Sequence, residues 1–170
     1  MQYECISSLE EYLAQVEASL LSQDKRLAVN FPQASVSPWD GNALAKANQA
    51  LLAQVSRSAN LYAIFTAASG SKEHSLRYIG KTTQKLARQR ITNHLFRKHE
   101  KTGSKLAQVV AHACDGGAVE IAWVSVRPES LRNYLEEELI LRHPEAGWNR
   151  ENRARIEAEL LGIQAPASEA

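Results

Sequence analysis

The chain has 170 residues, 44% of them hydrophobic, and its 20 basic and 19 acidic side chains leave a net charge of +1 at pH 7. That length suits one compact domain with appendages better than two full domains, and the ordinary apolar share excludes wholesale disorder. No apolar run approaches the roughly 20 residues that cross a bilayer, and the acidic start Met1-Gln2-Tyr3-Glu4-Cys5 has no signal-peptide core, so a soluble, cytoplasmic protein without a membrane partner is expected.

Residues 1–59 read as a helical accessory region. Ser8 and Glu11 form a capping-box pattern at the start of a first helix, along which Leu9, Leu13, Val16 and Leu20 follow helical spacing. The stretch from Asn30 to Gly41 is rich in turn formers and reads as irregular. A second helix is expected from about Asn42 to Ser58, with Leu44, Ala47, Leu51, Leu52 and Val55 facing inward. Neither helix carries nameable chemistry; packing, a protein partner or a homodimer contact is their expected role.

Residues 60–150 change period and form the expected central domain. Leu61 to Thr66 is a strand by composition, Ala68-Ser69-Gly70-Ser71 a turn, and Leu76 to Gly80 the returning strand of a hairpin. A helix follows from Lys85 to about Lys101, with Leu86, Ile91, Leu95 and Phe96 on its buried side, and a shorter one from Lys105 to Ala113. Val119 to Val126 alternates as a third strand, and Ser130 to Leu141 is a helix stopped at Pro144. In residues 151–170 a last helix, about Arg153 to Leu161, precedes a tail of small residues. The expected class is α+β: a small, mostly antiparallel three-stranded sheet flanked by helices, with extra N-terminal helices.

Cys5 and Cys114 lie far apart without a CxxC pairing, which implies neither a zinc site nor a disulfide framework; buried or partly buried thiols are expected. The near-neutral total hides a segregation of charge. Between Arg77 and Lys105 the only acid is Glu100, among nine Lys and Arg side chains, whereas acids collect after Asp115, including Glu136-Glu137-Glu138. Such a basic middle suits phosphate binding, and Lys81, Lys85, Arg88, Arg97, Lys98 and Lys105 are the candidates to meet a nucleic-acid backbone.

Tyr62 and Tyr78 fall on the two strands of the hairpin and are expected to face each other. Tyr78-Ile79-Gly80-Lys81 leads into a helix on which Arg90 and His94, at i and i+4, share a face. Further on, Glu136 precedes Ile140 by one turn, and the chain reaches Trp148-Asn149.

Over about Asn60 to Asn149, roughly half the chain, this order resembles the GIY-YIG nuclease superfamily. Asn60-Leu61-Tyr62 stands where that family has Gly-Ile-Tyr, and Tyr78-Ile79-Gly80 matches its second motif letter for letter. Arg90-Ile91 with His94 is similar to the family's arginine helix, Glu136 to its metal-binding glutamate, and Asn149 to a late asparagine of the site. The resemblance implies DNA phosphodiester hydrolysis (RNA presents the same bond) with Mg²⁺ or Mn²⁺ on Glu136 and Arg90 on the phosphate. It also implies that one tyrosine activates water. Tyr62 is preferred, oriented by Tyr78, with Arg90, Lys81 or the metal drawing its pKa of about 10 toward neutrality. Lys81 is a further candidate for phosphate or phenol contact, and Gly80 for close backbone approach.

Spacing from Gly80 selects Arg88, but matching Arg-Ile-x-x-His selects Arg90; being about 200° apart on a helix, they cannot share one site. Glu136 competes with Glu137 and Glu138 and is preferred because it shares a stripe with Ile140. His94 has hydrogen bonding within the helix or contact with the DNA backbone as alternatives to catalysis, and Asn149 has capping of the turn before the last helix.

Overall fold

A computed structural model describes residues 6–97 and 104–152. Its centre is a four-stranded antiparallel sheet, ordered β1-β4-β2-β3, in which β1 is Leu27–Ala28, β2 Leu61–Ala67, β3 Ser75–Lys81 and β4 Ala118–Val124. The α+β class is as expected. The sheet has one strand more than expected, because β1 pairs with Glu120 and Ile121 at the outer side of β4, and Val29 N–H extends the ladder to the Val119 carbonyl.

Every residue of β2 is buried, as the period-2 geometry of a strand covered on both faces demands. Leu61, Ala63 and Phe65 meet helix α1 (Ile6–Leu21) and helix α6 (Arg132–Arg142). Tyr62 and Ile64 point the other way, into a core built by α2 (Gly41–Ala47), α3 (Gln49–Val55), α4 (Ala87–Leu95) and α5 (Leu106–Cys114).

The N-terminal segment is therefore part of the domain core. Helix α1 begins at Ile6, so Ser8 lies inside its first turn instead of capping it, while Leu13, Val16 and Leu20 form the stripe that covers the sheet. The single second helix expected over 42–58 is two short ones interrupted at Asn48, whose buried side chain donates to the Asn30 and Leu44 carbonyls and accepts from Asn30 N–H. Ala47 faces solvent and Ala45 takes the buried position instead. Asp40 caps α2 by accepting from the amides of Asn42 and Ala43.

This segment also fixes the end of α4. Trp39 Nε1 donates to the Phe96 carbonyl at 3.0 Å, and Phe31 packs between the Trp39 and Phe96 rings at centroid distances of 5.8 and 6.4 Å. The α-helical turns of α4 begin at Ala87, after a 3₁₀ turn over Gln84–Leu86. Leu86, expected inside, is 49% exposed, and Ala87 is buried in its stead. The expected continuation of this helix to Lys101 and the last helix at 153–161 lie outside the described residues. Cys114 is an exposed free thiol, not a buried one, and Cys5 lies outside the described residues. Among the described residues no helix is long and apolar enough to cross a membrane.

Within the hairpin, Ile64 pairs with Tyr78 but Phe65 pairs with Leu76, so Arg77 is an extra residue in β3. This bulge changes the phase of the strand. Leu76 joins the α1/α6 side and Tyr78 the α4/α5 side, although residues two apart would otherwise share a face.

If α1 belongs to the core, Leu13→Ala should lower the unfolding free energy by about 2–5 kcal/mol, the cost of emptying a buried leucine site. Urea unfolding measures it, and a loss under about 1 kcal/mol would make α1 an appendage.

Candidate active site

Tyr62 and Tyr78 do not sit directly opposite each other. The residue across from Tyr62 is Gly80, and the two tyrosines meet on the diagonal with ring centroids 6.0 Å apart. Gly80 has a negative φ like its neighbours in β3, so its use here is space. A Cβ on it would lie 2.6 Å from Tyr78 Cε1 and 2.7 Å from Tyr62 Oη. The glycine of the Tyr-Ile-Gly tripeptide is thus the floor on which both phenol rings rest.

His94 completes the ring cluster, with centroids 5.6 Å from Tyr62 and 5.2 Å from Tyr78. It is fully buried. The backbone N–H of Lys105 donates to Nδ1 at 3.1 Å, which leaves the neutral ring its proton on Nε2. That N–H donates in turn to Tyr62 Oη at 2.9 Å. Burial, reinforced by the cations of Arg90 and Lys105, lowers the His94 pKa to about 3 and keeps the ring neutral. Electrostatic coupling to Tyr78 adds to burial in opposing ionisation of Tyr62. Donation therefore runs from Lys105 N–H to His94 and from His94 to Tyr62, whose ring packs against that of Tyr78.

Of the two candidate arginines, Arg90 is the one aimed at this cluster. Its half-buried guanidinium acts electrostatically on both phenols and favours their ionised forms. Nothing couples Arg88 to the tyrosines, and its carbonyl accepts from Thr92 Oγ1 on its own helix.

The expected lowering of the phenol pKa values is not what the site produces. Tyr62 is completely enclosed, and burial raises it well above the ordinary value against the pull of Arg90. Tyr78 is raised too, by burial first, with Arg90 opposing and Glu136 reinforcing. Tyr62 is the tyrosine expected to meet water, but its side chain is wholly enclosed. Tyr78 lines one of about 140 Å³, together with Lys105, Glu136 and Asn149.

Glu136 sits on α6 one turn before Ile140, and both line this cavity and an adjoining one of about 330 Å³ that also contains Lys81. Its side chain is 15% exposed whereas that of Glu137 is 73% exposed, which separates the two candidates. Lys81 Nζ lies 2.8 Å from Glu136 Oε2 and 3.9 Å from Glu137 Oε1. Burial raises the Glu136 pKa, Lys81 opposes this through its side chain and backbone N–H, and Glu151 adds a smaller upward push.

Among the described residues no three His, Cys, Asp or Glu side chains converge on a point. A cation at Glu136 would thus find a single well-buried carboxylate, the donor set that suits Mg²⁺, which keeps most of its waters. The fit is supported by the Lys81 ammonium, a positive group already held against that carboxylate.

Asn149 is not a reacting group in this arrangement. Its Oδ1 accepts from Ile79 N–H at 3.0 Å and its Nδ2 donates to the Ile79 carbonyl at 2.8 Å, so the side chain pairs with the outer edge of β3 like a short strand. Asn60 does the same at β4: Val126 N–H donates to Oδ1 and Nδ2 to the Val126 carbonyl, both at 2.8 Å. Asn60 therefore has a structural role, one that residue order does not disclose. Lys105 is the site residue whose place the sequence missed. Expected only as a backbone-binding cation, it is buried with Nζ 5.0 Å from the Tyr78 ring centroid. Among the remaining expected cations Lys85 and Arg97 are exposed, Arg88 is half-buried, and Lys98 lies outside the described residues.

Two outcomes test this geometry. The folded pKa of His94, about 3, is below its ordinary 6.5, so the unfolded chain takes the proton first. Stability held by the neutral ring is complete above pH 6.5 and falls as pH drops toward 3, by about 1.4 kcal/mol per unit. Urea unfolding from pH 7 to 4 should show a shallower slope for His94→Gln than for the wild type; equal slopes would refute a buried neutral ring. Gly80→Ala should cost about 1–3 kcal/mol by overpacking and perturb the near-ultraviolet tyrosine signal; an unchanged spectrum would mean that the rings do not rest on Gly80.

No protein-family model, curated protein or solved structure matches this chain.

Proposed function

We propose that the protein is a metal-dependent endonuclease of the GIY-YIG type, which hydrolyses DNA phosphodiester bonds at the cavity between β3 and α6. The observation that carries this reading is that Tyr78 and the Glu136 carboxylate line one cavity, with Arg90 acting electrostatically on Tyr78 and the Tyr62–His94 pair packed behind it.

In hydrolysis a water oxygen bonds to phosphorus, the bridging P–O bond breaks, and one proton passes from the water to the departing oxygen. Tyr78 Oη is the hydroxyl placed to orient that water, since Tyr62 is sealed off. Arg90 favours negative charge on Tyr78 Oη and works against its burial, so this oxygen can hold the water's proton in passage. Arg90 stays charged at any working pH and has the fork geometry to bind nonbridging phosphate oxygens. Lys105 brings a second cation to the cavity wall. Glu136 would hold Mg²⁺ or Mn²⁺, which when bound supplies charge neutralisation at the phosphate and acidifies water. His94 and Asn149 act as positioning residues, the first through Tyr62 and the second through the backbone of β3.

Incubation with supercoiled plasmid should give nicked product that requires Mg²⁺ or Mn²⁺ and disappears with Glu136→Ala. Tyr78→Phe should slow cleavage by about 10²–10⁴-fold, the usual scale of a lost acid–base group, and by more than Tyr62→Phe. A folded protein that binds but does not cut plasmid, branched DNA or RNA would be a nucleic-acid-binding module built on the same fold.

A further inference from the structure

Lys81 and a divalent cation have competing claims on one carboxylate. The ammonium is 2.8 Å from Glu136 Oε2, with the second carboxylate, Glu137, 3.9 Å away. Lys81 ends β3, so its backbone is fixed by pairing with Leu61 while its side chain remains 32% exposed and able to move. Glu136 is the more buried partner, on a helix whose next turn is anchored by Leu139 and Ile140. When charge at this point changes, the side chain that moves is therefore the lysine.

We propose that Lys81 is a resident counter-cation that occupies Glu136 until nucleic acid arrives, so that divalent-metal loading is coupled to phosphate binding. The inference rests on the nuclease reading and adds regulation of the same site. A half-buried carboxylate left without a positive partner is costly, and Lys81 removes that cost in the metal-free protein. A divalent cation entering alone must displace an ammonium already hydrogen-bonded to its ligand, and it meets the repulsion of that ammonium nearby. A phosphodiester in the cavity offers Lys81 another anion. The lysine can then leave Glu136 for the phosphate, and the metal gains both a free carboxylate and the phosphate oxygens. Linkage requires the effect to be reciprocal: whatever factor phosphate adds to metal affinity, metal adds to phosphate affinity.

The distinguishing experiment is a Mn²⁺ titration of the full chain, with free Mn²⁺ read by electron paramagnetic resonance. It is run without nucleic acid and with a uniformly phosphorothioate DNA duplex, which keeps the backbone charge and resists hydrolysis. Without DNA, Lys81→Met should bind Mn²⁺ about fivefold more tightly than the wild type, the factor expected for an ion pair of this partial exposure. Adding the duplex should tighten Mn²⁺ binding by the wild type more than by Lys81→Met. Lys46→Met removes an exposed cation of α2 that is not among the candidate phosphate contacts, and it should leave Mn²⁺ affinity unchanged. Equal affinities for the wild type and Lys81→Met, or equal tightening by Lys81→Met and Lys46→Met, would overturn the counter-cation and leave the nuclease reading intact. Mn²⁺ binding that survives Glu136→Gln, or is absent throughout, would overturn the nuclease reading itself.

Discussion

The constraint on which the rest depends is that β2 is buried along its whole length, on both faces at once. A strand enclosed in this way needs a layer on each side, and the chain supplies α1 with α6 on one and α2 through α5 on the other. The hydroxyl of Tyr62 is then a polar atom in the middle of an apolar core, where an unmet hydrogen bond is expensive. His94 meets it, and His94 in turn is met by the backbone of Lys105. The cluster behind the cavity is, from the core side, a sequence of obligatory satisfactions.

Three buried asparagines extend the same economy to the backbone. Asn48, Asn60 and Asn149 each use a side-chain amide as a substitute peptide, closing hydrogen bonds where a helix breaks, where β4 runs past its partner, and where β3 has no neighbouring strand. Asn149 bears directly on the candidate site, since Ile79 lies between Tyr78 and Gly80 and its peptide is held on the outer side of β3. A side chain that reaches β3 only through its backbone thus sets the position of the tyrosine on the cavity wall.

Much of this was legible in the residues. Period-2 and period-3.6 patterns give β2, β3, β4, α4, α5 and α6 in their correct order, and the stripe Leu13, Val16, Leu20 gives the buried face of α1. Two residues at β1 carry too little pattern to announce a strand, because their pairing is decided by the exposed edge of β4. Leu86 misled for a similar reason: its segment begins as a 3₁₀ turn, which shifts the phase of the helix by a fraction of a turn and puts Ala87 inside. At the site, residue types and order bring Tyr62, Tyr78, Arg90, His94 and Glu136 together. Their relative depth is invisible in sequence, and depth is what separates enclosed Tyr62 from Tyr78 on the cavity wall. The pull of a neighbouring cation on a phenol is likewise easy to foresee, and the larger opposing effect of burial is not.

The extra residue at Arg77 has a consequence for how this sheet can vary. Because the bulge offsets β3 by one position, the strand reads as two half-strands of opposite parity: Leu76 serves one core and Tyr78 the other. The hairpin loop can then lengthen or shorten on the far side of the bulge without changing which way the tyrosine points. Parity at the chemical end is fixed by Tyr78 to Lys81 pairing with Ile64 to Leu61. Variation in the loop and constancy in the site are separable by a single peptide unit.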